Sequence, residues 1–389
     1  MFYEIFLPAG YPDSVSPDYF EYQCWDSIQA GASSLIGILS SRAILQAVGV
    51  GKETATATGA VLQWIIKDGS GMLGRILFAW FRGTDLDNNS KMWRLSADLF
   101  NDAAFFLEIL SPSLPDSFFL PIVCSGSVLK SIVSVAGGAT RSSLNEHQAT
   151  RNNMADVAAK DGSQEMAVGL ISMILGFYLT PLIDTDLKTW LFFVAFTCLH
   201  LFANYRAVRC IVLSKLNRQR SGILIRHWFE SYEGKTQKGE ILSPAQVARE
   251  EFTFYFEERR PYKVRLGVPL VRVLPENAKE MLAFVKKFKE EKNKYILKQT
   301  SREILVALQA DATSIDVLKA YFHAQLYQIS DSTKEQLDTP KMNLLKDLIR
   351  DPTSLQSAFN TFLTSLENKN WQVASNLLGT TEWRFNILN

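Results

Sequence analysis

The residues best suited to chemistry lie in Thr140–Glu165, directly ahead of an eighteen-residue uncharged stretch. This segment holds Arg141, His147, Arg151, Asn153, Asp156 and Lys160. Guanidinium and imidazole groups hold phosphates and carboxylates, so Arg141, His147 and Arg151 form a candidate anion site. On a helix His147 and Arg151 stand one turn apart, and Asp156 and Lys160 form an i,i+4 pair with the acid first. The same residues also suit a solvated amphipathic connector laced by its own ion pairs. A second group, Arg94, Asp98 and Asp102, recurs every four residues and would make one polar stripe on a helix, with Asn101 beside it. Two carboxylates so placed could share a proton or hold a cation near a membrane. Arg94 and Lys91 could equally neutralise them.

A third group is Asp68, Gly69, Gly74 and Arg75 within DGSGMLGR. It reads as a tight gating or helix-locking turn and superficially resembles the acidic–glycine–arginine turn of major facilitator transporters; capping and a plain turn account for it as well. It is not a phosphate-binding loop, since GKS/T is missing. No catalytic residues are assigned: no serine sits in GxSxG, and nothing around Lys67, Lys130 or Lys160 resembles the lysine signature of a pyridoxal enzyme. No metal site is expected, because Cys24, Cys124, Cys198 and Cys210 form no CxxC, and a lone His among scattered carboxylates is a poor ligand set.

The elements that must position these groups begin with Met166–Ile183, uncharged throughout, and Thr189–Tyr205, interrupted only by His200. Each approaches the length needed to cross hydrocarbon, and the short DTDLK connection makes them a helical hairpin. Ile28–Gly51, with Gly31, Ser34, Gly37 and Ser41 at helical spacing, suits close helix pairing. Thr54–Ile66, Met72–Phe81, Ala103–Leu110 and Phe118–Ala136 are further apolar stretches that could line a bundle interior.

Charge divides the chain. Residues 1–213 carry 14 Lys+Arg against 19 Asp+Glu, and residues 214–389 carry 27 against 21. The net charge of +1 offers no case for nucleic-acid binding. The expected architecture is mainly α, with a membrane-embedded helical bundle over 1–213 and a soluble, mainly helical α+β domain over 214–389. Arg206, Arg209, Lys215, Arg218 and Arg220 follow the hairpin, which predicts that this end and the C-terminal domain are cytosolic. No secretory signal or Arg- and Ser-rich transit peptide is expected from Met1–Gly10. In the second part, Ser243-Pro244, Thr339-Pro340 and Asp351-Pro352 read as helix starts. Glu276–Gln299 reads as an amphipathic helix, with Met281, Phe284, Val285 and Phe288 on one face. Lys263–Leu274 reads as one or two short strands and Ile223–Phe229 as another, and Leu355–Leu366 and Trp371–Leu378 as a helix pair. Trp383 and Phe385 could dock on the domain or contact a partner.

Five ordered blocks resemble the root UVB-sensitive family: FLPAGYPDSVSPDYFEYQCWDSIQA (Phe6–Ala30), WIIKDGSGMLGRILFAW (Trp64–Trp80), KMWRLSADLFNDAAFFLEILSP (Lys91–Pro112), VAGGATRSSLNEHQATRNNMADVAAKDGSQE (Val135–Glu165) and NYRAVRCIVLSKLNRQRSGIL (Asn204–Leu224). The resemblance implies a protein associated with an intracellular membrane and linked to vitamin B6 homeostasis, without implying a catalytic mechanism. Three functions fit. The first is binding or transport of a small metabolite, with pyridoxal phosphate or a related vitamer as a possible ligand. The second is a membrane scaffold recruiting a family paralogue or other protein through the C-terminal domain. The third is an enzyme acting on a B6-related compound. Membrane lipid is a partner in all three.

Overall fold

The computed structural model describes residues 2–48, 57–232, 239–254, 261–277, 280, 281, 288, 293–332 and 339–386. The chain is mainly helical with small sheets and divides into two compact units, Met1–Ile211 and Val212–Asn389.

Unit 1 is a helical bundle: α1 (Phe2–Phe6), α2 (Tyr19–Val48), α3 (Ala57–Arg82), α4 (Ser90–Leu110), α5 (Asp116–Gln148), α6 (Met154–Leu179) and α7 (Asp186–Cys210). Helix α2 packs on α4, α6 and α7, while α5 packs on α3 and α4. The small residues of α2 permit this closeness. A Cβ on Gly31 would touch Val168 and Ser172 of α6 at 3.5 and 3.6 Å. The two expected long helices are present, as Met154–Leu182 and Asp186–Cys210 with a short connection, but they do not close into a packed hairpin: each packs on α2. Thr185 caps α7 and Lys188 bridges to Asp184 at 2.7 Å. Four helices are long and apolar enough to cross a membrane: Tyr19–Val48, Asp116–Gln148, Met154–Leu182 and Asp186–Cys210. Large apolar side chains point outward in numbers, among them Trp64, Met72 and Trp80 on α3 and Leu170, Met173 and Phe177 on α6.

DGSGMLGR is not a turn. Asp68, Gly69, Gly74 and Arg75 lie inside the uninterrupted helix α3, because apolar residues flank them on both sides and no residue there needs a left-handed backbone. The glycines serve packing instead. A Cβ on Gly71 would sit 2.5 Å from Ser127 Oγ, and one on Gly74 2.9 Å from Ser131 Oγ, both on α5, whereas Gly69 faces open space.

Unit 2 contains β1 (Lys215–Asn217), α8 (Arg218–Ser231), α9 (Pro244–Glu250), β2 (Lys263–Leu266), β3 (Tyr295–Gln299), β4 (Glu303–Leu308), α10 (Ser314–Ser332), α11 (Thr339–Arg350), α12 (Pro352–Asn368) and β5 (Gln372–Leu377). Strand β4 is central, parallel to β2 and antiparallel to β3, and β1 pairs in parallel with β5. The core gathers Trp228, Tyr321, Phe322, Phe359 and Phe362. Arg218 ties distant segments together through the carbonyls of Leu378 (2.6 Å), Val264 (2.8 Å) and Gly379 (3.0 Å). Arg220 forms a buried pair with Glu251 at 2.9 Å.

Several local expectations change. Ile223–Phe229 belongs to helix α8, not a strand: Leu224, Ile225, Trp228 and Phe229 are all buried at helical spacing, and Asn217 accepts from the Arg220 N–H at 2.9 Å as its cap. Residues from Gln372 form strand β5 instead of a second helix. Asn370, in the left-handed region at φ 61°, stops α12, and the Trp371 N–H returns to Leu366 O at 3.1 Å. The expected helix Glu276–Gln299 lies largely outside the described residues, Phe284 and Val285 included, and its last five residues are strand β3. Within Lys263–Leu274 only β2 is a strand, and a 3-10 turn follows at Leu270–Arg272. Ser243 forms a complete capping box with Gln246, and Asp351 caps α12. Phe385 is buried, while Trp383 is 61% exposed.

Two consequences follow for stability. Gly71→Ala should lower the thermal midpoint of the detergent-purified protein by forcing α3 off α5. Gly69→Ala should leave it unchanged or raise it, gaining up to about 1 kcal/mol of helix propensity. Equal effects at the two positions would contradict the packing role. In unit 2, burial pushes the His323 imidazole down to about 4, with its Nδ1 at 3.1 Å from Tyr295 OH and its Nε2 at 3.2 Å from Ile349 O. The unfolded chain binds this proton at an ordinary value of about 6.5 and the folded chain does not. Stability contributed by neutral His323 should therefore be intact above pH ~6.5 and fall by up to about 3 kcal/mol towards pH ~4. His323→Gln should flatten that slope in denaturant melts followed by tryptophan fluorescence.

Candidate functional site

A ladder of buried polar groups links α2, α4 and α7 inside unit 1. Asp26 of α2 accepts from Arg94 Nη2 of α4 at 2.6 Å and from Tyr22 OH at 3.3 Å. One turn further along α2, Gln29 Nε2 donates to Asp98 Oδ2 at 2.6 Å and lies 3.0 Å from His200 Nε2 of α7. His200 is fully buried, and its Nδ1 reaches both oxygens of Asp102 at 2.8 and 2.9 Å. His200 is thus held between two carboxylates, Nδ1 on Asp102 and Nε2 beside Gln29 and Asp98. The next rung is Glu108, completely buried, bound by Lys130 of α5 at 2.6 and 2.7 Å and by the Ser40 hydroxyl. The i,i+4 stripe of α4 thus meets one partner helix after another, because residues on one face of a straight helix stack along its axis.

Beside this ladder a cavity of about 590 Å³ opens between α2, α4, α5 and α6. Its charged lining is Asp26, Arg94, Asp98, Arg141 and Glu165. Ser33, Asn101, Ser134 and Phe105 complete much of the wall, and Asn101 Nδ2 donates to Ser33 Oγ at 3.1 Å. Gly137 and Gly138 form a smooth patch, with nothing within 4 Å of where their Cβ atoms would be. Arg141 is held by Asp161 at 2.6 Å and Glu165 at 2.5 Å. The Arg94 Nε is buried, with no hydrogen-bond partner among the described residues.

The structure brings some of the sequence candidates together and separates others. Arg94, Asp98 and Arg141 share the cavity. Asp102 stands behind it on His200. Arg94 makes its ion pair across to Asp26 while also acting on the charge of Asp98 one turn along its own helix, and Lys91 donates to Ile211 O at 2.8 Å. Arg141, His147 and Arg151 do not converge on one point: α5 ends at Gln148, His147 pairs with Asp18 at 2.9 Å, and Arg151 follows in the loop. Asp156 and Lys160 do not pair with each other. Asp156 takes the Ala9 N–H at 2.7 Å, and Lys160 donates to Glu4 O. Asn153 accepts from the Arg151 N–H and donates to Ser14 O, both at 3.1 Å. This outer part of the polar segment clamps residues 4–14 onto α6. The helix-interior group Asp68, Gly69, Gly74 and Arg75 lines no part of the cavity.

His200, Asp26, Gln29 and Glu108 were not among the sequence candidates. Of these only His200 stands alone in a long apolar stretch, a signal that carries a functional expectation by itself; Asp26, Gln29 and Glu108 lie among other polar residues of α2 and α4. Among the described residues no group of three or more His, Cys, Asp or Glu is arranged to hold a metal ion. The four cysteines are free thiols.

Residues 1–232 match a family described as vitamin B6 photo-protection and homoeostasis domain, and residues 240–387 match root UVB sensitive protein, C-terminal. The chain is 46% identical over 281 residues to RUS family member 1 of Dictyostelium discoideum, an alignment covering 71% of this chain and 52% of that protein. It is 40% identical over 331 residues to protein root UVB sensitive 3 of Arabidopsis thaliana, covering 82% of this chain and 73% of that one. Protein root UVB sensitive 6 of the same plant is 27% identical over 387 residues, covering 96% and 75%. The chain therefore spans about half the length of the Dictyostelium relative and about three quarters of the plant ones. No solved structure matches it. With both halves matched in order and a relative at 40% identity, the chain belongs to the root UVB sensitive family.

Proposed function

We propose that this protein is a multi-pass membrane protein that binds and moves a small metabolite through the cavity between α2, α4, α5 and α6, in the service of vitamin B6 homeostasis. The observation that carries the proposal is the cavity itself. Charged and hydroxylated groups face inward on helices whose outer faces are apolar, the arrangement a polar ligand needs within hydrocarbon. The vitamin B6 link comes from the description of the family matched by residues 1–232. A scaffold would need no such space.

Orientation follows from the distribution of cations. Among the described residues Arg82, Arg151, Lys160, Arg206 and Arg209 cluster at the end where α2 begins and α7 finishes, while the opposite end holds Arg42 and Lys188. The positive-inside rule makes the first end cytosolic, and with it the C-terminal unit. Exposed Phe252 and Trp383 give that unit contacts for a protein partner. The cavity's charged groups lie towards this cytosolic end.

Two measurements test the proposal on the full chain. After an alkaline carbonate wash the protein should stay with the membrane pellet; release to the supernatant would end the embedded reading. Gly137→Leu and Gly138→Leu should fill the cavity without colliding with neighbours, since open space surrounds both positions. These variants should keep the wild-type thermal midpoint and lose at least tenfold in binding of B6 vitamers measured by equilibrium dialysis. Undiminished binding would move the site elsewhere, and absence of vitamer binding by wild type would favour a scaffold.

A further inference from the structure

The charge balance of the cavity says what kind of ligand fits it. Asp26, Asp98 and Glu165 line it against only Arg94 and Arg141, and Asp161 adds a further carboxylate on Arg141 from behind. Both guanidiniums already hold acids, and the unpaired Arg94 Nε is buried. Arg94 holds Asp26 at 2.6 Å, and Arg141 holds Asp161 and Glu165 at 2.6 and 2.5 Å.

Asp98 is differently placed. Its close contact is the neutral amide of Gln29, on Oδ2 at 2.6 Å, and His200 Nε2 is 3.5 Å from the same oxygen. The closer carboxylate to His200 is Asp102, on Nδ1 at 2.8 Å. No described group donates to Asp98 Oδ1 within hydrogen-bond distance, and the side chain forms part of the cavity wall. A carboxylate removed from bulk water is stabilised chiefly by a nearby cation and by donors to each oxygen. The protein supplies Asp98 with one firm donor and leaves its cavity side open.

We infer that the cavity takes a small organic ammonium cation, its charged nitrogen against Asp98, and not a phosphate ester or other anion. This rests on the cavity being a metabolite site, as proposed above. A phosphate would meet three carboxylates on the wall and two guanidiniums that each already hold an acid. To draw them off it would have to strip Asp26 from Arg94, or Asp161 and Glu165 from Arg141, leaving the buried Asp26 or Asp161 without its partner. An ammonium requires no such rearrangement. The rest of the wall suits a compact body carrying hydroxyl groups. Phe105 and the Gly137–Gly138 patch offer apolar contact, and Ser33, Ser134 and Asn101 offer hydrogen bonds. Among B6 vitamers the unphosphorylated amine fits this description and the 5′-phosphates do not.

The test is a binding series on the full-length protein in detergent at neutral pH, using pyridoxamine, pyridoxine, pyridoxamine 5′-phosphate and benzylamine. Wild type should bind pyridoxamine at least tenfold more tightly than pyridoxine, which shares the ring but lacks the amine, and more tightly than the phosphate ester. Asp98→Asn, isosteric and still able to accept from Gln29, should remove the preference for the amine. The wild-type series decides the matter even where that variant misfolds. Tighter binding of the phosphate ester, or equal affinity for pyridoxamine and pyridoxine, would overturn the inference. If such binding still disappears in Gly137→Leu, the cavity stands as the site and only the charge assignment falls. If none of the four probes binds, or binding survives Gly137→Leu, the metabolite site itself falls and the inference with it.

Discussion

The bundle depends on the requirement that every charge placed among its helices find a partner on a different helix. Arg94 on Asp26, Asp102 on His200 and Lys130 on Glu108 each join two helices, and each is at least half withdrawn from solvent. Removing one member of such a pair leaves the other uncompensated, a loss of about 3–5 kcal/mol in buried settings. The pairs consequently set which faces of α2, α4, α5 and α7 meet and at what height. Shifting α4 by one residue would rotate its acidic stripe by about 100° and break all of its rungs together.

Apolar packing alone would specify this arrangement poorly. Where the outer faces of helices are as apolar as the inner ones, contact between them is weakly directional, and small residues and polar rungs decide the fit. Both devices occur here. Gly71 and Gly74 bring α3 against α5, Gly31 brings α2 against α6, and the ion pairs fix the register of the remaining contacts. The cavity is a by-product of the same rules. At Gly137 and Gly138 the small residues have no opposing helix in contact, so space remains beside groups that are only partly satisfied.

The C-terminal unit is organised around an aromatic core. Trp228, Phe322, Phe359 and Phe362 stack in tilted and edge-on contacts between α8, α10 and α12. Arg218 and Arg220, which read in sequence as part of a basic flank, are structural anchors of this unit through carbonyls and Glu251. The first family match extends to residue 232, past the division at Ile211, and so takes in β1 and α8, which contribute to the second unit's core.

By itself the sequence determined the family, the two-part organisation of composition and charge, the long apolar helices and the helix starts at Ser243 and Asp351. These are local or additive properties: runs of apolar residues, cap chemistry and ordered blocks are written within a few turns of chain. It also marked Arg94, Asp98 and Arg141 as residues that needed a reason. What it could not contain was their pairing. Asp26 lies 68 residues from Arg94, and His200 lies 98 from Asp102. Only the packing of α2 parallel to α4, and of α7 antiparallel to it, brings such residues within 3 Å. The same packing made helix contacts of the glycines in DGSGMLGR, which local spacing reads as a turn. It also drew His147 and Arg151 away from Arg141 and left Asp98 open to the cavity. Tertiary structure decided these points because the desolvation of a charge, and its relief, depend on what stands opposite in space.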